Sequence, residues 1–355
     1  MFKQKSKCIL IMLLVLSLVL SGCVSKDTST TEQKPSTTES AKTTEQTDPN
    51  KVKRPEGVPA DYPKDEINFI YAFGAGSPFE AYLRIVADKA QEMQGWKHGV
   101  VISFKEGASG RIGWNAMAEA KPDGYNLGFA PSAMLISSVS EEVSYGVDKV
   151  DFVFNTMSDP GAIGVVVDSP YKTLQELVEA AKQNPGKITV GVTSVIGQEG
   201  LTLKLIEKAA GVDFNEVAFD GEGAIFAAII GKHVDAFCLN VTDATTFLED
   251  NSIRVLATGN TERSVFLPEI PTYKEAGYDV TQVNMRSVAC PKGTPEPIRK
   301  YLEECFIAAA NDPEVQAKAA EMKLPIDTMT GTEVKEKFTT ISEGYAKLWE
   351  ESPWN

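Results

Sequence analysis

The sequence predicts an α/β fold, and three observations predict it. Short apolar runs rich in β-branched and aromatic residues alternate with stretches whose apolar residues recur at helical spacing. Glycine-containing loops stand between several of these runs and the helix that follows, as βα turns require. After a polar N-terminal stretch, about 290 residues remain, enough for two domains of ordinary size.

In chain order, Ile67–Tyr71 reads as a strand, Phe73–Pro78 (FGAGSP) as a loop, and Phe79–Met93 as a helix with Phe79, Leu83, Val86 and Ala90 on one face. Val100–Phe104 is the next strand. Lys105–Gly113 (KEGASGRIG) leads into a helix over Arg111–Ala120, Pro122–Tyr125 turns, and Leu127–Ala130 is a third strand. The rhythm resumes with strand Ile188–Val192, loop Thr193–Gly200, helix Leu201–Ala210, strand Glu216–Phe219, loop Asp220–Gly223 and helix Ala224–Ile230. Val234–Leu239 and Ile253–Ala257 are further strands. Val165–Val167 and Ser287–Cys290 read as crossing strands, which makes the middle segment a second domain inserted into the first. Ligands of such sheets sit beyond the carboxyl ends of the strands. Loops there lead into helix N-termini, whose unpaired N–H groups and positive dipole end favour an anion, and glycine lets the backbone approach it.

The first residues carry an address. Lys3, Lys5 and Lys7 precede an apolar run, Ile9–Leu20, too short to span a bilayer, and Leu20-Ser21-Gly22-Cys23 follows. This pattern predicts a lipoprotein signal peptide over residues 1–22 and a lipidated Cys23. Residues 23–62 form a Ser/Thr-rich tether with too little apolar surface to offset its ordering entropy. Cleavage would take the net charge from −14 to −17, since residues 1–22 hold three lysines and no acid. So acidic a chain is a poor partner for nucleic acid. Cys238, Cys290 and Cys305 suit neither a disulfide framework nor a metal site and are expected as buried thiols. With two histidines, His98 and His233, and no HExxH or GxSxG, no metal site, cofactor or catalytic residue is expected, and a surface-anchored hydrolase is the weakest alternative. FGAGSPF fails the dinucleotide pattern at Phe79 and GEGAIF at Phe226, and neither is a P-loop.

Longer motifs carry a resemblance. Gly107–Gly113 (GASGRIG), Ala118–Leu127 (AEAKPDGYNL), Tyr171–Gly191 (YKTLQELVEAAKQNPGKITVG), Arg263–Tyr278 (RSVFLPEIPTYKEAGY) and Cys290–Ile298 (CPKGTPEPI) occur in the order and form of the substrate-binding proteins of tripartite tricarboxylate transporters, the TctC or Bug family. The resemblance spans about Ile67 to Tyr345. It implies a two-lobed, periplasmic-binding-protein-like (Venus flytrap) α/β fold of two doubly wound mixed sheets with a cleft between. Lobe 1 would comprise 63–164 and 286–355, and lobe 2 would comprise 165–285.

The resemblance further implies an extracytoplasmic, lipid-anchored protein, at the cell surface or in the periplasm, that catalyses no reaction. It would capture a small organic acid (a di- or tricarboxylate, an aromatic acid or an amino acid) and deliver it to large and small permease subunits. A ligand-presenting sensor of the same fold is the alternative. Carried onto this chain, the site comprises Phe73, Gly74, Ala75, Gly76, Ser77 and Pro78, then Ala108, Ser109 and Ser132, and in lobe 2 Thr193, Ser194, Gln198, Asp220 and Gly221. Tyr71 flanks the cleft with Phe73. Glu80 stands where the family has aspartate, Asp220 where it has lysine, and Arg286 beside the place of an expected tryptophan. Arg286 is a candidate for a second carboxylate and Asp220 for an amino group.

Overall fold

The computed structural model describes residues 51–355 apart from 220, 249, 352 and 355. The signal peptide, Cys23, residues 23–50 of the tether and Asp220 lie outside the described residues. Alternation holds throughout the first half: β1 (Ile67–Tyr71), α1 (Pro78–Gln94), β2 (Val100–Phe104), α2 (Arg111–Ala118), β3 (Asn126–Pro131) and α3 (Met134–Ser140). A 17-residue strand, β4 (Val150–Val166), leads on to α4 (Leu174–Gln183), β5 (Thr189–Val192), α5 (Gln198–Ala210), β6 (Asn215–Ala218), α6 (Glu222–Ile230), β7 (Ala236–Asn240), α7 (Val241–Leu248) and β8 (Ile253–Thr258). The chain closes with β9 (Val283–Pro291), α8 (Glu296–Ala310), α9 (Pro313–Glu321), β10 (Ile326–Thr330) and α10 (Gly331–Glu351).

Local chemistry sets several boundaries. Ser77 caps α1 by accepting from the Glu80 amide, Pro78 occupies the first turn, and Gly95 ends the helix in the left-handed region. Thr173 and Glu176 form a capping box on α4.

β1, β2 and β3 are parallel, and β9 joins β3 antiparallel. In the second half β6, β5 and β7 are parallel. The expectation of two separate sheets needs one amendment. The ladder runs β2-β1-β3-β9-β4-β7-β5-β6 without a break, because β4 serves both halves. Its residues Val150–Pro160 pair with β9, and Gly161–Val166 pair with β7 and β8. At roughly 3.3 Å per residue such a strand is long enough for two sets of partners. The partners change at Pro160-Gly161. Gly161 donates to the Gln282 carbonyl and accepts from the Gly259 amide, and a Cβ on Gly161 would stand 2.4 Å from the Gln282 side chain.

Aromatic packing fixes the first half. Tyr71, Phe79 and Phe129 cluster on the face covered by α1 and α8, where Phe154 stacks on Phe306 at 5.2 Å. Trp114, Met117, Phe152 and Phe338 fill the face under α2, α3 and α10. Cys238, Cys290 and Cys305 are buried, unbridged thiols whose pKa burial raises, to about 11 for Cys290 and about 12 for Cys305.

Candidate functional site

Because β1, β2 and β3 are parallel, the loops that follow them share one edge of the sheet, and the loops after β5 and β6 share the corresponding edge of the second half. In the first loop many groups are already engaged. The Tyr71 ring is core, and its hydroxyl meets Ser77 Oγ at 2.7 Å. Ser77 Oγ also accepts from the Glu80 amide at 3.1 Å. Glu80 is buried, and its carboxylate accepts from the Gly76 amide at 3.2 Å and from Arg84. Glu80 therefore ties the loop to its helix. Gly74 faces Glu106, whose carboxylate would lie 3.4 Å from a Cβ. Ala75 is exposed and Pro78 opens α1. Phe73 differs from Tyr71: it is 39% exposed, held edge-on by Trp114 at 5.9 Å and Phe129 at 6.1 Å.

The second loop holds four successive residues at positive φ: Gly107 (121°), Ala108 (48°), Ser109 (52°) and Gly110 (92°). Two are not glycine, and a side chain in the left-handed region costs about 1–2 kcal/mol. Gly110 must be glycine, since a Cβ would stand 2.7 Å from Trp114 and 3.0 Å from Phe73. The loop delivers α2 without a side-chain cap and without an acid in its first turn; the Gly110 amide donates to the Gly107 carbonyl at 3.1 Å and the Arg111 amide to the Ala108 carbonyl. Ser132 is fully buried: its hydroxyl accepts from the Met285 amide at 3.1 Å and its own amide donates to the Met285 carbonyl at 2.9 Å. It clamps β3 to β9.

In the second half, Thr193 and Ser194 are half-buried in the loop before α5. The Thr193 hydroxyl is engaged with Glu199, and the Ser194 carbonyl accepts from the Gly197 and Gly200 amides. Gln198 turns the other way, toward α10, where its Oε1 accepts from Tyr345 at 3.5 Å. Gly221 opens α6 at φ +90° with nothing within 4 Å of its Cβ position.

Arg286 lies where the two halves meet. Its Nη2 donates to Asp159 Oδ2 at 3.0 Å, while its buried Nε has no partner. Asp159 also accepts from the Thr242 amide at 3.2 Å and from the Thr242 hydroxyl. Asp243, in the first turn of α7, accepts from the Asn240 amide at 3.0 Å. Burial raises Asp159 and Asp243, the latter to about 7, with Asp159 its next cause. Burial likewise raises Glu199, to which Glu222 adds. The sequence reading did not include Asp159, Glu199, Glu222, Thr242 or Asp243. For Asp159 there was a signal: it is the one acid between Phe152 and Val167, and it stands directly before Pro160-Gly161.

A cavity of about 1040 Å³ lies elsewhere, walled by Leu205, Phe266, Met285, Leu324 and Tyr345 among others. Gln198 is the one candidate residue on its wall. Its walls are predominantly apolar, whereas the loops combine glycine backbone with the Ser109, Thr193 and Ser194 side chains next to helix N-termini, so the loops are the better match to a small polar solute.

Known proteins resemble this chain over most of its length. The family model described as the tripartite tricarboxylate transporter family receptor, TctC, matches residues 82–337. A UPF0065 protein in the gbd 5′ region of Cupriavidus necator is 28% identical over 267 residues, which cover 74% of this chain and 80% of the relative. A TctC solute-binding protein from Polaromonas, solved without ligand, superposes with a TM-score of 0.71 at 22% identity over 82% of this chain and 99% of its own. MatC from Rhodopseudomonas palustris with bound malate gives 0.69 at 19% identity, over 81% and 99%. These likenesses show the α/β periplasmic-binding-protein-like fold.

Proposed function

The chain belongs to the tripartite tricarboxylate transporter receptor family of solute-binding proteins, and from that premise we propose that it is an extracytoplasmic lipoprotein that captures a small carboxylate-bearing solute and hands it to membrane permease subunits. Residues 63–164 with 286–355 form one lobe and 165–285 the other, and the solute sits between them. The lipobox around Cys23 and the polar tether support an anchored position outside the cytoplasm.

One observation carries the binding reading. The N-terminus of α2, which has neither a side-chain cap nor an acid in its first turn, is reached through the loop Gly107–Gly110 on the same sheet edge as the Phe73–Pro78 loop, and its positive dipole end favours an anion there. Its carboxylate-binding residues are Phe73, Gly74, Ala75, Gly76, Ala108 and Ser109, with Thr193, Ser194 and Gly221 closing from the second lobe. Tyr71, Ser77, Pro78 and Glu80 hold the first loop in place, while Ser132, Gln198 and Arg286 bond to Met285, Tyr345 and Asp159. Malate bound to MatC, a relative in fold, supports the solute class.

A thermal-shift panel of di- and tricarboxylates, aromatic acids and amino acids tests this. A ligand of the folded state adds RT ln(1 + [L]/Kd), about 2.7 kcal/mol at a hundredfold excess over Kd. The expected result is a clear shift with one carboxylate, lost in Ser109→Asp, which sets a negative charge at the α2 terminus. A flat panel, or a shift that survives S109D, contradicts the reading.

A further inference from the structure

The apolar cavity of about 1040 Å³ is separate from the loops of the proposed cleft: among the described residues, none of 73–78, 107–110, 193–194 or 221 lines it. It lies on the other face of the crossing strands. Ser158 pairs with Met285 and both line the cavity, whereas the next residue on each strand, Asp159 and Arg286, points to the opposite face. Its walls come from both halves of the fold. Residues 260–266 and 281–283 supply one side, and α9, residues 324–327 and α10 supply the other.

Part of this space is polar and unsatisfied. Gln282 stands on the wall and is 5% exposed, and neither its Oε1 nor its Nε2 has a hydrogen-bond partner among the described residues. Its backbone is fixed, the amide donating to the Gly259 carbonyl at 2.8 Å and the carbonyl accepting from the Gly161 amide at 3.1 Å. Asn260 Oδ1, on the same wall, is unpartnered too, as are the buried hydroxyls of Thr258 and Tyr273. A Cβ on Gly161 would stand 2.4 Å from Gln282 Oε1 and 3.3 Å from the Tyr273 hydroxyl, so these groups lie close together. Buried polar groups are normally hydrogen-bonded, and five unpartnered atoms in one neighbourhood point to a missing occupant. Apolar walls with a few polar groups that fix orientation are the make-up of small-molecule sites.

The polar groups also set the charge of the occupant. A glutamine amide offers both a donor and an acceptor. The ionisable side chains of the wall stand apart from it: Glu262, Arg263 and Lys337 are exposed, Asp327 is half-buried on β10, and none bonds to Gln282 or Asn260. Arg263 is already held by Glu275 at 2.9 Å and by the Pro268 carbonyl at 3.2 Å. A charged head beside Gln282 would lose its hydration without gaining a counter-ion, which is costly. On α10, Gly344 leaves room. Glycine is a poorer helix former than alanine, yet nothing lies within 4 Å of the Gly344 Cβ position, so no neighbour requires the bare backbone there.

We propose that this cavity is a second binding site, apart from the solute cleft, for an uncharged amphiphile, its apolar body against Leu205, Phe266, Met285 and Leu324 and its amide or hydroxyl head paired with Gln282 and Asn260. The inference does not rest on the solute-binding reading and stands if that reading fails.

The test is calorimetric titration of the mature chain, residues 23–355, with Cys23→Ser so that neither lipid nor detergent competes for the site. Four probes share one body and differ in the head: octanamide, octanol, octanoate and octylammonium. Octanamide and octanol are expected to bind, and the two charged probes about tenfold more weakly or worse. Gln282→Met, of similar volume, should weaken octanamide about tenfold. Gly344→Phe, at an exposed position with open space at its Cβ, should abolish binding of every probe while thermal unfolding stays that of the parent or rises. Equal affinity for all four heads, tighter binding of a charged head, or octanamide binding unchanged by Gln282→Met overturns the inference. So does binding that survives Gly344→Phe, which places the probe elsewhere, and so does binding by none of the four, which leaves a solvated cavity only.

Discussion

Loss of Asp159 should destabilise the protein strongly. Its side chain is fully buried and takes three donors: Arg286 Nη2, the Thr242 amide and the Thr242 hydroxyl. Asp159→Ala strips all three at once and leaves the Arg286 guanidinium, whose Nε already lacks a partner, as an unpaired buried charge. Breaking a buried ion pair from one side costs about 3–5 kcal/mol, and a value near the upper end is expected, since the two Thr242 donors are orphaned as well. Arg286→Met, which keeps the volume, should cost less, because Asp159 can take up a proton in its place. The double variant should then cost at least about 2 kcal/mol less than the sum of the two, the coupling expected of groups in direct contact. Urea unfolding followed by tryptophan fluorescence measures all three. If Asp159→Ala costs under about 1 kcal/mol, or if the two effects simply add, the pair is solvated and does not lock the crossing of β4 and β9.

Two further outcomes follow from named atoms. A Cβ on Gly200 would stand 1.9 Å from the Val195 carbonyl oxygen, so Gly200→Ala should displace the loop before α5, destabilise the protein by about 1–3 kcal/mol and weaken solute binding. Unchanged unfolding and binding would show that the loop accommodates it freely. Asp243, at about 7 in the folded chain against about 3.9 unfolded, binds more protons folded than unfolded between those values. Its contribution is therefore lost as pH rises through that window. Between pH 5 and 7 the difference in stability between Asp243→Asn and the parent should move by about 2 kcal/mol in favour of the variant, and parallel pH profiles would contradict the burial of that carboxyl.

Much of the fold was legible because each early element is a clean run between glycine or proline signals. β1 and β2 coincide with the apolar runs Ile67–Tyr71 and Val100–Phe104. β4 was seen only at its tail. The polar residues Asn155, Thr156, Ser158 and Asp159 interrupt its apolar pattern, yet each side chain is bonded to a neighbour rather than to water. α7 was missed because Val241 follows β7 with no turn residue between them, the helix starting at the carboxylate cap of Asp243. In the site, the glycines marked the loops. They did not show that Ser77, Ser132 and Gln198 would be spent on internal hydrogen bonds, nor that Arg286 would meet an acid 127 residues away. Such pairings depend on how the strands cross, and no local pattern carries that information.

Amide hydrogen exchange with and without the solute that stabilises the chain tests the central claim most directly. Closure of the two halves on the solute should slow exchange in residues 73–78 and 107–110 together with residues 193–198 and 221–223, through fewer local openings. Protection confined to the walls of the apolar cavity, in residues 260–266 and 319–329, would place the solute there and contradict capture between the loops.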